Sequence, residues 1–125
     1  MRSNNYLIGI VDDDKAIGRA LGRLVKLSGY DVRVMTSSQE CLTLVQTEHL
    51  DCLVLDVVMP GMNGMELLNS LRALGKEIPT VFITAYDRAD YKNEALSLGC
   101  IAVLQKPFKA DLLLSSIAKA LLDEI

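Results

Sequence analysis

The chain has 125 residues, half of them hydrophobic, and its 13 basic and 16 acidic side chains give a formal net charge of −3. This length fits a single compact domain, and so large an apolar fraction excludes intrinsic disorder. The apolar runs are far shorter than the roughly 18 residues of a transmembrane helix. No signal peptide is recognisable, and an acidic chain without an evident basic stripe is not expected to bind nucleic acid directly.

The first half of the chain alternates between apolar runs and helical periodicity. Residues 6–11 are a continuous apolar run typical of a buried strand, and residues 31–35 alternate as a second strand does. Between them, a helix that stops at Gly29 is predicted to bury one face made of Ile17, Ala20, Leu21, Leu24 and Val25. Ser37 and Glu40 have the spacing of a capping box, which predicts a second helix to about residue 46.

The second half continues this alternation, and its turns are marked by Pro60-Gly61 and Asn63-Gly64. Three further strands are predicted at residues 52–58, 80–84 and 101–104. Helices are predicted from about residue 66 to 75, over 88–98 and from about residue 111. The last of them is expected to bury a face made of Leu114, Ile117, Ala118 and Leu121.

Five strands that alternate with five helices predict an α/β fold with a parallel sheet and helices on both faces. The nearly continuous apolar strands agree, because strands that are buried on both faces need no polar side. We therefore predict a flavodoxin-like, doubly wound sheet of order 2-1-3-4-5 in a single domain over residues 1–125, with its core at about 6–122. In such sheets the site lies at the carboxyl ends of the strands, where strands 1 and 3 diverge.

The cysteines fit a reducing compartment. The chain has three cysteines, which is an odd number, and all three lie inside apolar periodic segments: Cys41, Cys52 and Cys100. We interpret them as reduced core residues of a cytoplasmic protein.

Polar residues at the predicted carboxyl ends are few, and they are of the kinds that phosphoryl chemistry needs. They are Asp12, Asp13 and Asp14 after strand 1, Asp56 on strand 3, Thr84 on strand 4 and Lys106 after strand 5. Asp14 is expected to cap helix 1. Several carboxylates close together repel one another, and an all-oxygen set without His or Cys favours Mg²⁺ over zinc. Within it, Asp56 could attack phosphorus to form an aspartyl phosphate.

Four segments in order carry a family resemblance: IGIVDDDKAIGRAL, LVLDVVMPGMNGMELL, TVFITAYD and LQKPF. Together they resemble the receiver domains of two-component response regulators, the CheY-like family, and PGMNGMELL and LQKPF are most similar to FixJ-type receivers. The resemblance implies a signalling switch in which Asp56 accepts a phosphoryl group from a histidine kinase.

The resemblance also implies how the ion is held. Asp13 would bind Mg²⁺ directly and Asp12 through water, and the Asp56 carboxylate and the backbone carbonyl of Val58 would complete the protein ligands.

Around the phosphoryl group, the resemblance implies three further contacts. Lys106 would pair with the group, and its peptide bond to Pro107 would be cis. Thr84 would move in to donate a hydrogen bond, and the backbone N–H of Ala85 would donate another.

The response to phosphorylation would appear on the face formed by helix 4, strand 5 and helix 5, where this family dimerises or binds partners. Many receivers have an aromatic residue at the position of Val103, so a ring-based switch would need Tyr86 or Phe108 here. The resemblance further implies that helix 1 and the loop after strand 5 carry kinase specificity, through Ile17, Gly18, Leu21 and Gly22.

Two positions bear on the lifetime of the phosphorylated form. Val58 and Tyr86 occupy the places that flank the hydrolytic water in this family, and neither side chain is an acid or an amide that could orient water. We therefore expect slow dephosphorylation, and no enzymatic activity beyond the chain's own phosphorylation and dephosphorylation.

Three other functions fit these residues less well. A flavodoxin-type electron carrier is disfavoured because three Asp would repel a flavin phosphate and the chain has no Trp. An aspartyl phosphatase or mutase would place a second acid at position 58, which is Val. A receiver-like module that works without phosphorylation is the strongest alternative, but such modules usually lose one of the acidic residues or the Lys that this chain keeps.

Overall fold

The computed structural model describes residues 5–85 and 88–122. Strands and helices alternate along the chain, as predicted, in the order β1 (Leu7–Val11), α1 (Lys15–Leu27), β2 (Asp31–Met35), α2 (Ser38–Leu44), β3 (Cys52–Asp56), α3 (Gly64–Ala73), β4 (Thr80–Thr84), α4 (Ala89–Ser97), β5 (Ala102–Gln105) and α5 (Ala110–Leu122). All neighbouring strands are parallel and the sheet order is β2-β1-β3-β4-β5, which confirms the predicted topology. No helix in the described ranges is long and apolar enough to cross a membrane.

The sheet separates two hydrophobic layers. Side chains of α2, α3 and α4 pack on one face around Leu53, Leu55 and Phe82, and those of α1 and α5 pack on the other around Ile10 and Val54. Because β3 and β4 are buried along their whole length, they need no polar face. The three cysteines, which all lie in the described ranges, form no disulfide with one another, and two of them, in α2 and β3, are fully buried.

Two strand and helix ends differ from the predictions in ways that matter for the site. Strand β3 ends at Asp56 and not at residue 58, because the Val57 N–H donates to Ile83 O of β4 at 2.9 Å and the chain then turns away. Helix α3 begins two residues early. Asn63 and Glu66 form a reciprocal capping box, in which Asn63 Oδ1 accepts from the Glu66 N–H at 2.8 Å and Glu66 Oε1 from the Asn63 N–H at 2.9 Å.

The capping box predicted for α2 forms only in part. Ser37 Oγ accepts from the Glu40 N–H at 3.1 Å, as expected. The Glu40 carboxylate, however, accepts from the Thr36 hydroxyl at 2.6 Å, so it does not return to the Ser37 backbone.

The predicted buried face of α5 is partly wrong. Ile117 and Leu121 are buried, but Ala118 is exposed and Leu114 is only partly covered. The residues that are buried in the helix are Leu113, Ser116, Ile117, Ala120 and Leu121. The run of three leucines, Leu112 to Leu114, is compatible with either of two helix faces turned towards the sheet. Ser116 can be buried on the observed face because its hydroxyl donates to Leu112 O at 2.8 Å.

Helix α1 approaches β2 through glycine. Gly18 and Gly22 are buried, and a Cβ at these positions would lie 3.0 and 2.7 Å from methyl groups of Val34. Both residues therefore pack against the sheet, and the kinase specificity expected on this helix stays a prediction. Ala20, predicted on the buried face, is exposed.

Candidate functional site

Three carboxylates meet at the carboxyl ends of β1 and β3, where the sheet order places the switch point. Asp12 follows the last residue of β1 and is fully buried, and Asp56 ends β3 and is 6% exposed. Asp13 is exposed at the rim. One carboxylate oxygen from each of the three lies within 4.8 Å of the others. The parallel topology thus brings together residues that are more than 40 positions apart, as predicted.

Lys106 lies against this cluster. Its Nζ donates to Asp12 Oδ2 at 2.9 Å and is 3.4 Å from Asp56 Oδ2. Its backbone N–H donates to Thr84 O at 2.7 Å, which continues the β4–β5 pairing by one residue, and its peptide bond to Pro107 is cis, as expected. We call Asp12, Asp13, Asp56 and Lys106 the acidic cleft.

The backbone after each strand orients the carboxylates. Asp12 Oδ1 accepts from the Asp14 N–H at 2.9 Å, and Asp56 Oδ1 accepts from the Val58 N–H at 3.1 Å. Each buried carboxylate therefore has one oxygen on a backbone N–H and the other beside the Lys106 ammonium. Asp14 itself accepts from the Ala16 and Ile17 N–H groups and caps α1, as predicted.

The charges in the acidic cleft do not balance. Burial raises the pKa of Asp56 to about 6, Lys106 acts to lower this pKa, and Asp12 acts to raise it. Burial acts to lower the pKa of Lys106, but its hydrogen bond to Asp12 and the charges of both carboxylates outweigh that and raise it. At neutral pH three carboxylates face one ammonium, which is an environment that attracts a cation.

The residues fit a hard divalent cation. Apart from Lys106, the described residues that line the cleft are aspartates and apolar residues, and none of them is His or Cys. Asp12, Asp13 and Asp56 supply carboxylates, and Val58, whose backbone carbonyl is the fourth predicted ligand, lines the same cleft. This donor set is the one that Mg²⁺ prefers.

The remaining predicted site residues occupy two different positions. Ala85 is exposed and lines the acidic cleft. Thr84 is buried at the end of β4, beside the cleft but not among the residues that line it. Tyr86 lies outside the described residues.

The switch-related residues lie on opposite faces of the sheet. Val103 packs against the layer of α2, α3 and α4, whereas Phe108 packs against the layer of α1 and α5. Phe108 therefore does not share a packing environment with Val103. The aromatic side chains described on the Val103 face are Phe82, its neighbour on β4, and Tyr91 of α4. The Tyr91 ring is covered by Arg88, with 4.2 Å from Cζ to the ring centroid.

Gly64 is a site residue that sequence reasoning missed. A Cβ at Gly64 would collide with the backbone carbonyl oxygen of Asp56, and the Gly64 N–H donates to Val57 O at 2.9 Å. The first turn of α3 thus packs directly against the backbone of the central carboxylate. Asn63-Gly64 was the signal for this contact, but it was interpreted as a turn only.

Comparison with known proteins gives a consistent result. The family described as Response regulator receiver domain matches residues 8–118. The response regulator protein TodT of Pseudomonas putida is 36% identical over 121 residues, which cover 97% of this chain and 53% of TodT. The chain spans about half the length of the curated relatives it matches.

Solved structures agree with this result. The receiver domain of the Francisella response regulator 1452 superimposes with a TM-score of 0.89 at 30% identity, covering 97% of this chain and all of that one. FixJ-N superimposes with a TM-score of 0.87 at 29% identity, covering 96% and 94% of the two chains.

Proposed function

The chain belongs to the response regulator receiver domain family of two-component signalling, and we propose that it is a phosphorylation-activated switch whose phosphoacceptor is Asp56. The observation that carries this proposal is the buried Asp56 carboxylate, 3.4 Å from Lys106 Nζ and within the reach of two further carboxylates. Burying a carboxylate beside two others costs stability, and a group kept at such a cost in a cleft favours a chemical role. Receiver domains act with histidine kinases, which identifies the class of phosphodonor.

The proposed reaction is transfer of a phosphoryl group from a phosphohistidine. An oxygen of Asp56 attacks phosphorus, the P–O bond forms as the P–N bond breaks, and the leaving imidazole nitrogen keeps the electron pair and takes up a proton. Lys106 neutralises charge on the phosphoryl oxygens, and the Val58 N–H holds the Asp56 carboxylate in orientation. Asp12, Asp13, Asp56 and the Val58 carbonyl would hold Mg²⁺, which when bound offsets the charge of the transferred group.

Activation then requires movement at the end of β4. Thr84 and the Ala85 N–H would donate to the new phosphoryl oxygens, and Thr84 must shift because it lies beside the cleft and does not line it. We propose that this movement repositions the face of α4, β5 and α5, where Leu96 and Leu112 are each about half exposed. That face would form a homodimer or bind the output partner of the phosphorylated protein.

The lifetime of the phosphorylated form is part of the same proposal. Val58 is apolar and lines the cleft, so it offers a hydrolytic water no acid or amide. We propose slow loss of the phosphoryl group and no activity on other substrates.

We propose that residues from about 6 to 122 form one receiver unit. We propose further that this unit works in the cytoplasm and does not bind nucleic acid directly. The relatives are about twice as long as this chain, and their output activities are not assigned to it.

The test is the intact mass of the chain after incubation with Mg²⁺ and acetyl phosphate. We expect the gain of one phosphoryl group, which should be lost with a chelator and absent in Asp56→Asn. No gain under any of these conditions would contradict the proposal and favour a receiver-like module that works without phosphorylation. Gel filtration of the phosphorylated and unmodified chain would then test the proposed dimer.

A further inference from the structure

Strand β2 is an edge of the sheet, and its outer side is open. On the inner side, the Asp31 N–H donates to the β1 side at 2.9 Å and the Met35 carbonyl accepts from it at 3.1 Å. Successive residues direct their backbone groups to opposite sides of a strand, so those of Val32 and Val34 point outward. The Val32 carbonyl accepts from Arg33 Nη1 at 3.2 Å. Within the described parts of the chain, the two N–H groups and the Val34 carbonyl have no partner. We call the outward backbone groups of Val32 and Val34 the β2 edge.

An apolar groove of about 550 Å³ lies beside the β2 edge, on the side of α2. Its lining includes Met35 and Leu44, and Val34 is 39% exposed beside it. The Arg33 guanidinium at the groove is neutralised by an ion pair with Glu48 at 2.9 Å. A strand added at the β2 edge would therefore place apolar side chains on this side of the sheet.

Helix α1, on the other side of the sheet, carries four exposed basic residues on one face. They follow one another at spacings of four, four and three residues: Lys15, Arg19, Arg23 and Lys26. At 3.6 residues per turn they fall within roughly 80° of one another around the helix and extend over about 16 Å. The helix contains no acidic residue. We call these four residues the basic face.

The basic face lies on the flank of α1 that is nearer to the β2 edge. Helix α1 packs on β2 through Gly18 and Gly22, where an added Cβ would lie 3.0 and 2.7 Å from Val34. Leu21 and Leu24, about a quarter turn to one side, pack in the layer shared with α5, which covers β3 and β4. The basic face is about a quarter turn to the other side. It therefore points away from α5 and towards the open side of β2.

The fold gains nothing from the charges of the basic face. They form no ion pair within the described parts of the chain, where the pairs involve other cations. Like charges at i, i+4 repel one another, and Lys15 lies in the first turn, where the helix dipole disfavours a cation. A local conflict without a structural gain indicates a surface that binds anionic groups.

We propose that the β2 edge is a docking site for an extended acidic segment of a partner protein, which adds to the five-stranded sheet as one more strand. Its backbone would pair with Val32 and Val34. Alternate side chains of a strand point to opposite faces. On the α1 side they would be carboxylates that reach the basic face, and on the α2 side they would be apolar and enter the groove. The pattern recognised is therefore acidic and apolar residues in alternation.

Two other occupants fit the β2 edge less well. Pairing with the same edge of a second copy would bring two basic faces side by side, and their charges would repel. Nucleic acid would gain only a few phosphate contacts from four cations and would leave the apolar groove unfilled. The inference goes beyond the proposed function and does not rest on it, because no residue of the β2 edge or of the basic face lines the acidic cleft.

The test uses a fluorescent peptide of about nine residues in which Glu and Val alternate, and a second peptide with Gln in place of Glu. The variant Arg19→Glu/Arg23→Glu reverses the charge in the middle of the basic face. Lys76→Glu/Lys119→Glu makes the same change of charge at exposed sites elsewhere and is the control. Fluorescence anisotropy measures binding, and urea unfolding checks that each variant is folded.

We expect the glutamate peptide to bind wild type and Asp56→Asn equally. At low salt it should bind at least about tenfold more weakly to the α1 variant and within about twofold of wild type to the control variant. The glutamine peptide should bind wild type at least about tenfold more weakly than the glutamate peptide. Amide hydrogen exchange at Val32 and Val34 should slow when the glutamate peptide binds, because their N–H groups gain acceptors.

Two further peptides test strand addition itself. One is methylated on the amide nitrogen of every Glu, and the other on that of every Val. The N–H groups of successive residues leave a strand on opposite edges, so only one of the two methylations can remove hydrogen bonds to β2. We expect only that one to weaken binding, by about tenfold or more.

Several results would overturn the inference. They are equal effects of the two methylations, equal losses in the α1 and control variants, and unchanged exchange at Val32 and Val34. A dimer that forms without peptide and protects these two amides would assign the β2 edge to a second copy and would overturn it as well. Failure of acetyl phosphate to label the wild type would contradict the proposed function alone.

Discussion

Helices α3 and α4 are neighbours on the same face of the sheet, yet they are held very differently. Helix α3 starts with a reciprocal capping box and buries Gly64, Met65, Leu67, Leu68 and Leu71. Helix α4 begins at Ala89, after Arg88, which makes no side-chain cap hydrogen bond, and within its described residues it buries only Ala95. The two helices follow the two strands that carry Asp56 and Thr84.

We interpret this difference in anchoring as a difference in the roles of the two helices. Helix α3 packs against the backbone of Asp56, which holds the proposed phosphoacceptor beside Lys106. Helix α4 buries little, so it can move at low energetic cost if Thr84 moves as we propose. A switch needs a rigid site of chemistry and an element with two arrangements, and this fold provides one of each.

The largest expected effect comes from removing the Lys106 ammonium group from the acidic cleft. In Lys106→Met, the buried Asp12 and Asp56 lose their counter-charge, and without divalent cation the free energy of unfolding should fall by about 3 kcal/mol at pH 7.5. Urea unfolding with and without Mg²⁺ measures this. Added Mg²⁺ should recover most of the loss, because the ion replaces the missing positive charge.

The matched control is Lys109→Met, which removes an exposed cation three residues away. An equal loss of stability in both variants would show that the ion pairs of Lys106 do not hold the two carboxylates together.

The next effect tests the anchoring of α3. In Gly64→Ala, the new methyl group collides with the Asp56 carbonyl oxygen, so either α3 or the end of β3 must shift. We expect a loss of about 1–3 kcal/mol in the free energy of unfolding and slower labelling by acetyl phosphate. Asn69→Ala, on the exposed side of the same helix, is the control and should leave labelling unchanged. Normal labelling in Gly64→Ala would show that α3 does not position Asp56.

A smaller effect concerns the charge of Asp56. The pKa of Asp56 in the folded chain is about 6, above the value near 4 of an exposed Asp, so the folded state binds this proton more tightly than the unfolded chain. Its contribution to stability is fully present below about pH 4 and is lost as the pH rises through 6. In chelator at pH 7.5, Asp56→Asn should therefore be more stable than wild type by about 1–2 kcal/mol.

Urea unfolding between pH 4.5 and 7.5 measures this difference, and Asp111→Asn, at an exposed position of α5, controls for net charge. A stability difference that does not grow with pH would mean that burial of Asp56 is not what disfavours its charge.

Much of the fold and the acidic cleft was predictable because both follow from the order of the residues along the chain. The parallel strand order places Asp12, Asp56 and Lys106 at one edge of the sheet independently of how the intervening side chains pack. The structure brings these three residues together. The cap at Asp14 needs only local spacing, and it too was predictable.

What was missed depends on packing between distant elements. The close approach of Gly64 to Asp56 and of Gly22 to Val34 is set by helix–sheet distances, which no local pattern encodes. The buried face of α5 was ambiguous because Leu112, Leu113 and Leu114 fit two registers.

The smallest effect sharpens the comparison of α3 with α4. Arg88 donates to Asp90 at 2.6 Å and to the Tyr91 hydroxyl at 3.1 Å, but both ends of this ion pair are more than half exposed. Arg88→Ala should therefore leave the free energy of unfolding nearly unchanged. Its effect should be local: amide hydrogen exchange should speed up in α4 and stay unchanged in α3, because the arginine holds the first turn of a helix that lacks a capping side chain. Arg88→Ser, which supplies a capping hydroxyl, should restore slow exchange in α4. If α3 and α4 exchange at the same rate in the wild type, the two helices are equally anchored, and the division between a rigid site and a movable helix is wrong.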